Sequence, residues 1–404
     1  MHNVTEHGSC FKVTLYVTML SIALVVPACM ENPSSELADR DDVPIDTLEI
    51  VLRIGEEIGD STNTFASIAD ALIDSSNRII VLDQVQACIK VFDINGNFLM
   101  QVSRRGNGPG ELINPSGLFQ MPDGRLGVIA MGKNGYITYD ESFNFIEELN
   151  LWRGNSPYCV TPLSDSTLVV CKYDFAFQDD KAVLRRTIGI YRWGEIAWDT
   201  LLWKDSLVLT LEELQENQSI IARYAFEERL ATSGNSESGV YFAPMDATEY
   251  RVIGWDGSGN TILDFSRDYD PILKTAEEME NERIYVTGGL DRGSGGSAGV
   301  AYQPDPYRNQ ATGAYIGPDG NLWVRRGVEV SPLFDVFDLA GNLVRHVVFP
   351  TDGWSWEVKV SPKGILAWEL DPAEGYQTLY LLDSDLLISS VLMTSAEMPE
   401  DPKY

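Results

Sequence analysis

The chain has 404 residues, of which 30 are basic and 60 acidic, so its formal charge at pH 7 is −30. A field of this sign repels phosphates, which argues against nucleic acid as a partner but leaves cationic partners or Ca²⁺ compatible with the charge. Hydrophobic residues make up 44% of the sequence, ample for a large core.

The N-terminal segment pairs a short apolar run with a cysteine. Residues 13–26 are almost wholly apolar but too few to span a membrane as a mature helix. The run ends in Val-Pro-Ala-Cys, which resembles a bacterial lipobox. That resemblance implies a signal peptide at 1–28, lipid attachment at Cys29, a polar tether at 29–43 and an outer membrane lipoprotein, periplasmic or surface-facing. An ordinary signal peptide with a chance cysteine, or a short buried segment, stays open.

A sequence pattern that predicts four consecutive strands recurs along the rest of the chain. Its clearest copy runs from Ile73 to Val102, and a late copy begins at Gly317 with the turn Gly-Pro-Asp-Gly. Pro and Gly in these turns supply the fixed and the positive φ that tight reversals need. A repeat of roughly 40–50 residues is typical of β-propeller blades.

The repeat predicts an all-β fold: a six-bladed β-propeller with four-stranded antiparallel blades and short helical insertions on one face. A β-sandwich with coincidental turn spacing is the alternative. The outermost strand of the last blade is either 46–54, closing the ring, or 386–393. The propeller is expected at 44–398, with blades at about 68–103, 115–150, 157–203, 222–267, 312–349 and 355–393.

One stretch carries a family resemblance. Residues 106–118, Gly-Asn-Gly-Pro-Gly-Glu-Leu-Ile-Asn-Pro-Ser-Gly-Leu, resemble a conserved stretch of NHL-repeat propellers. The resemblance is close in blades one and two, loose in blades four to six, and weakest in blade three. The whole chain resembles six-bladed propeller lipoproteins of Gram-negative bacteria, and because most of those are named by fold, the resemblance implies little about chemistry.

Two cysteines flank one predicted hairpin. With a three-residue turn centred on Asp165, Cys159 and Cys171 face each other across adjacent strands, within disulfide reach. A pair of small buried hydrophobes is the alternative. Cys88 is left over and is expected to be buried.

The predicted insertions all fall on one face of the ring, at 174–186, 204–221 and 268–312. Two of them contain expected short helices, capped by Thr210 and by Thr275. The glycine-rich segment 287–299 lacks the context of a phosphate-binding loop and is expected to be a mobile loop. Because long loops in compact domains are usually functional or disordered, this face is the expected binding face.

Catalytic chemistry has few candidates. Past the signal peptide, His346 is the one histidine, which excludes histidine-rich zinc sites and argues against a Ser-His-Asp triad. His346 lies in an apolar strand and is expected to be structural. Asp83, Asn134 and Asp246 are candidate calcium ligands by analogy with six-bladed lactonases, but no local motif selects them.

Several residues are candidates for ligand contacts on the expected binding face. Arginines there can clamp an anionic group or pair with surplus carboxylates, and a tryptophan near Gly353 offers a stacking surface. These candidates are Arg104, Arg105, Arg153, Arg325, Arg326 and Trp354.

Taken together, these features favour a non-catalytic, membrane-tethered binding scaffold that holds a peptide, glycan or protein partner and needs no cofactor. The lipid bilayer is a further expected partner through the acylated N-terminus. The alternative is a calcium-dependent hydrolase or lactonase with its site at the mouth of the central channel.

Overall fold

The computed structural model describes residues 43–57, 61–152, 157–216, 231–294, 302–327, 333–350, 356–370 and 376–383. These residues form a six-bladed β-propeller, in which six blades of four antiparallel strands are arranged in a ring and the fifth sheet gains one further strand at its rim. The first strand of each sheet contacts the inner strands of its neighbours, and the sixth sheet contacts the first.

Two short strands precede the blades, β1 Ile45–Thr47 and β2 Ile50–Ile54. The strands of blades one to three are β3 Ile68–Ile73, β4 Ile79–Asp83, β5 Cys88–Phe92, β6 Phe98–Val102, β7 Pro115–Gln120, β8 Leu126–Ala130, β9 Gly135–Tyr139, β10 Phe145–Asn150, β11 Cys159–Ser164, β12 Thr167–Gln178, β13 Lys181–Arg192 and β14 Trp198–Thr210. Those of blades four to six are β15 Ser233–Asn235, β16 Gly239–Phe242, β17 Tyr250–Trp255, β18 Thr261–Arg267, β19 Ala311–Ile316, β20 Leu322–Arg326, β21 Leu333–Phe337, β22 Leu343–Val348, β23 Trp356–Ser361, β24 Gly364–Glu369 and β25 Leu379–Leu382. The helices are α1 Leu211–Glu216, α2 Ala276–Ser294 and a 3₁₀ turn at Met131–Lys133.

The core lies between blades rather than within them. Strands β4, β5, β8 and β9 are buried along their whole length, because each is covered on both faces by neighbouring blades. One cluster, for example, joins Leu82 and Val91 of blade one to Val128 and Ile137 of blade two. The outermost strands β6, β14 and β18 are largely exposed, as the rim of a propeller must be.

The turn from third to fourth strand is the same in four blades. Its aspartate accepts the backbone N–H groups two and four residues on, and an asparagine at the fourth place donates its side-chain amide to the same carboxylate. The aspartates are Asp93, Asp140, Asp256 and Asp338. In three blades a glycine with φ of +84° to +88° precedes the asparagine, but blade two has Phe143 there at φ 63°.

The N-terminal segment joins two blades at the rim. Strand β1 runs parallel to β22 of blade five, and β2 then pairs antiparallel with β25 as the outermost strand of blade six. Leu48, between them, is buried in the core of these two blades. The chain before blade one thus supplies the fourth strand of the last sheet, while 386–393 lies outside the described residues.

Blade three departs from the expected pattern. Residues 174–186, predicted to be a loop, instead extend β12 and β13 as a continuous hairpin, and β14 runs beside them to Thr210 rather than ending near Trp203. The reversal falls at Asp179 and Asp180, both with positive φ, as a tight two-residue hairpin turn requires. The prediction of a loop was wrong because the two halves of this polar, alternating segment pair with each other across the turn, and β14 pairs with the second half.

Both expected helix caps are confirmed. The N–H of Glu213 donates to Thr210 Oγ1 while the Thr210 N–H donates to the Glu213 carboxylate, and Thr275 and Glu278 make the same reciprocal pair at the start of α2. The prediction of a loop from residue 287 was wrong as far as Ser294, because α2, once capped, continues through those glycines. Within the described residues, neither helix is long and apolar enough to cross a bilayer.

Candidate binding face and channel cavity

A cavity of about 290 Å³ lies where the six blades meet. Its lining includes residues near the beginnings of first strands, such as Asp70, Cys159 and Glu357, and residues at the ends of second strands, such as Arg325 and Trp368. First strands begin and second strands end on the face that carries the insertions. The cavity is therefore the mouth of the central channel on the insertion-bearing face.

Charged groups cross the cavity wall between blades. Lys359 Nζ of blade six donates to Asp70 Oδ1 of blade one at 2.6 Å, and the Leu118 N–H of blade two donates to Asp70 Oδ2 at 2.7 Å. One carboxylate thus connects three blades. The Asp70 side chain is only 16% exposed, so these contacts are largely shielded from water. We infer that this contact holds the channel mouth in shape.

The wall between blades three and four contains the cysteine pair. Cys159 is directly opposite Cys171 in the register, as the turn position predicts. Thr161 Oγ1 donates to the Thr232 carbonyl at 2.8 Å, and both cysteine sulfurs lie 3.7–3.8 Å from Thr232 Oγ1. Both cysteines are free thiols in the structure, and the possible disulfide between them stays a prediction.

Cys88 is also a free thiol, and it is buried in β5 of blade one. Burial raises its pKa to about 11, so it is a poor nucleophile at neutral pH.

Of the arginines predicted to bind ligand, Arg104 and Arg105 lie in the connection from blade one to blade two. Arg104 is 80% exposed and pairs with Glu111 at 2.8 Å, while Arg105 donates to the Val85 carbonyl. Exposed pairs of this kind contribute little to stability, because water already solvates both charges.

Arg325 and Arg326 are buried instead. Arg325 reaches the cavity wall, where it donates to the Trp356 carbonyl at 2.7 Å and ties blade five to blade six. Arg326 lies 3.7 Å from Asp335 and stacks over the Tyr269 ring at 4.2 Å. Arg104 and Arg105 thus belong to a blade connection, Arg325 and Arg326 are buried in blade five, and a role for any of them in ligand binding stays a prediction. Arg153 and Trp354 lie outside the described residues.

The extension of blade three is the feature that sequence reasoning missed. Phe175 and Phe177 lie at its end on β12, with ring centroids 5.1 Å apart, and they are 42% and 60% exposed. A small separate core of Ala182, Leu184 and Leu209 holds the extension together, with α1 packed against it. The alternating apolar residues at 173, 175 and 177 were the signal that could have revealed this strand.

The insertion after blade four is held by ion pairs. Buried Lys274 pairs with Glu282, which also accepts a hydrogen bond from the Tyr302 hydroxyl at 2.6 Å. Arg308 pairs with Glu278 at 2.8 Å. These contacts fix α2 and the chain that follows it to each other on the same face.

The candidate calcium ligands lie in different parts of the ring. Asp83 accepts the N–H groups of Ala66 and Gln86, and Asp246 accepts those of Thr248 and Glu249. Asn134 ends the 3₁₀ turn in a left-handed conformation. Across the described ranges, no group of three or more His, Cys, Asp or Glu side chains is placed to hold a metal ion.

His346 is fully buried, and its Nδ1 lies 2.8 Å from Asp335 Oδ1. Asp335 is also fully buried, inside blade five. This arrangement suits a structural contact between β21 and β22, because neither side chain reaches the surface.

Comparison with known proteins agrees with this geometry. A family model described as a 6-bladed β-propeller matches residues 62–184. No curated protein gives a significant match. With six sheets in a closed ring, the chain is a six-bladed β-propeller.

Similar solved structures include a member of the duf4221 family from Bacteroides vulgatus, 12% identical, covering 83% of this chain and 97% of that one with a TM-score of 0.48. Virginiamycin B lyase from Staphylococcus aureus is 10% identical, covering 80% and 81%, with a TM-score of 0.39. The calcium-binding protein regucalcin from Agrobacterium tumefaciens is 9% identical, covering 84% and 96%, with a TM-score of 0.37. At such identities the likeness concerns the fold alone.

Proposed function

We propose that this propeller is a binding scaffold whose insertion-bearing face holds a peptide, glycan or protein partner. One observation carries the proposal: the channel cavity, the blade-three extension and the α2 insertion share one face. The described connections on the opposite face are tight turns such as Asp93–Asn97 and Asp338–Asn342. A scaffold elaborated on one side is expected to bind on that side.

The exposed ring pair supports a contact surface at the tip of the extension. Phe175 and Phe177 expose two adjacent aromatic rings to solvent, and aromatic side chains supply much of the contact energy in interfaces. Asp179 and Asp180 form the turn next to them, and the whole chain is strongly acidic. This chemistry favours a partner that combines apolar groups with positive charge.

A probe panel tests the proposal. The purified chain is applied to peptide and glycan arrays together with two double variants, each of which replaces two exposed apolar residues by serine. Phe175→Ser with Phe177→Ser alters the insertion-bearing face, whereas Ile94→Ser with Leu339→Ser removes exposed side chains from the tight turns of the other face. Binding should be lost in the first variant and kept in the second. Loss in the control alone, or no binder at all, would count against the proposal.

We also propose that the scaffold is tethered to a membrane through a lipidated Cys29, on the strength of the lipobox resemblance at residues 26–29. Two acyl signals are enough for stable anchoring. Expression of the chain and of Cys29→Ser, followed by membrane fractionation and mass measurement of the mature N-terminus, tests this. Release of Cys29→Ser into the soluble fraction is expected, and an unlipidated wild-type N-terminus would contradict the proposal.

A further inference from the structure

Two thiols face each other at the wall of the channel cavity. Cys159 lines the cavity and is half-buried, whereas Cys171 is fully buried behind it. They are directly opposed across β11 and β12, where Cα atoms are about 4.5–5.5 Å apart in antiparallel sheet. That separation falls within the range that a disulfide spans. One thiol is thus reachable from the insertion-bearing face, and its partner is within bonding reach.

Their surroundings make the two thiols unequal. A hydrogen bond from the Cys171 thiol lowers the pKa of Cys159 despite its burial, and the Thr232 N–H, 3.4 Å from Cys159 Sγ, acts in the same direction. Burial, and then the neighbouring Cys159, raise the pKa of Cys171 well above that of an ordinary thiol. An accessible thiolate beside a protonated thiol is the arrangement of an attacking cysteine and a resolving cysteine.

We propose that Cys159 and Cys171 form a redox-active pair that exchanges with a small-molecule disulfide entering the cavity. The Cys159 thiolate attacks one sulfur of that disulfide, the external S–S bond breaks, and the first external thiolate leaves. The first external thiolate takes from water the proton that Cys159 gave up on ionisation. The Cys171 thiol then loses its proton and attacks the Cys159 sulfur, and the second external thiolate leaves and takes that proton. The two protein thiols are oxidised to one disulfide, and the external disulfide is reduced to two thiols.

This inference is independent of the proposed binding function, because it rests on the cavity wall and not on the blade-three extension. Cys88 is an internal control. It is buried in another blade, and its raised pKa leaves little thiolate at neutral pH.

The test equilibrates the purified chain with excess 2-hydroxyethyl disulfide at neutral pH. Remaining thiols are trapped by alkylation, and the peptides are mapped by mass spectrometry. We expect the segment containing Cys159 and Cys171 to lose both alkylation sites together, with an internal disulfide, while Cys88 remains alkylated. Reversal by excess 2-mercaptoethanol should restore both sites. Full alkylation of both cysteines after oxidation, or a reaction that stops at a mixed disulfide on Cys159, would overturn the proposal.

Single variants separate the two roles. In Cys171→Ser the mixed disulfide should persist on Cys159, because the resolving thiol is gone. In Cys159→Ser, Cys171 should remain unmodified, because it is buried and protonated. Modification of Cys171 at the same rate in both the wild type and Cys159→Ser would show that Cys159 is not the entry point.

Discussion

Phe143 offers a test of how the blade turns are built. It has φ 63°, where three equivalent turns have glycine, yet its side chain is 8% exposed and packed in the core of blades one and two. The Arg78 guanidinium lies 4.5 Å above its ring. The residue therefore combines backbone strain with burial, and the two contributions can be separated by replacing it with alanine and with glycine.

Phe143→Ala removes the buried ring but keeps a Cβ in the left-handed conformation, so we expect it to lose about 3–5 kcal/mol of stability. Phe143→Gly loses the same ring but relieves about 1–2 kcal/mol of left-handed strain. The unfolded chain of the glycine variant has more conformational freedom than that of the alanine variant, which lowers the stability of the glycine variant by about 0.4–1 kcal/mol. The glycine variant should therefore be the more stable of the two, by roughly 0.5–1 kcal/mol.

Urea unfolding followed by tryptophan fluorescence measures this difference, provided that the free energy of unfolding depends on urea concentration with the same slope in both variants. Two glycines of other turns provide matched controls. Gly341→Ala, at φ 86°, should be destabilised, whereas Gly257→Ala, which has open space around it and no positive φ, should be neutral or slightly stabilised. If Phe143→Ala proved as stable as Phe143→Gly or more so, the attribution of strain to this position would be refuted.

Three further outcomes are expected. Thr275→Ala removes one half of the capping box of α2 and should cost about 1 kcal/mol locally, seen as faster hydrogen exchange in the first turn of that helix while the blades are unchanged. The side-chain amide of Asn144 and backbone N–H groups lower the pKa of Asp140 in the folded protein. The ionised carboxylate therefore stabilises the fold above the unfolded-state pKa of about 3.9, and this stability is lost as the pH falls through the lower pKa of the folded state. Urea midpoints of the wild type should therefore fall on acidification more steeply than those of Asp140→Asn, and equal slopes would contradict this. Added Ca²⁺ should leave the melting temperature unchanged, because Asp83 and Asp246 already accept backbone hydrogen bonds, and a calcium-dependent rise would favour the hydrolase alternative.

The blades were predictable from sequence because each turn carries its own chemistry. Asp93, Asp140 and Asp338 mark strand ends by accepting local backbone N–H groups, and such local contacts are encoded within five residues. The cysteine register was predictable for the same reason, since one short turn sets the pairing of the strands on either side.

The blade-three extension and the length of α2 were not predictable in this way. Residues 174–178 and 181–186 pair with each other as a local hairpin, but the outer edge of that hairpin is completed only by β14, whose residues 205–210 lie 19–29 positions beyond their partners in β13. The buried contacts of Arg325 and Arg326 could not be predicted either, because their burial is a property of the closed ring. The exposed Phe175 and Phe177 were missed with the strand that carries them.

The most direct test of the binding face is hydrogen exchange of the chain with and without a binder identified on the arrays. The proposal predicts protection of residues 173–178 and of the first-strand residues around the channel mouth, with no change at the turns 93–97 and 338–342. Protection confined to those turns would contradict the assignment of function to the insertion-bearing face.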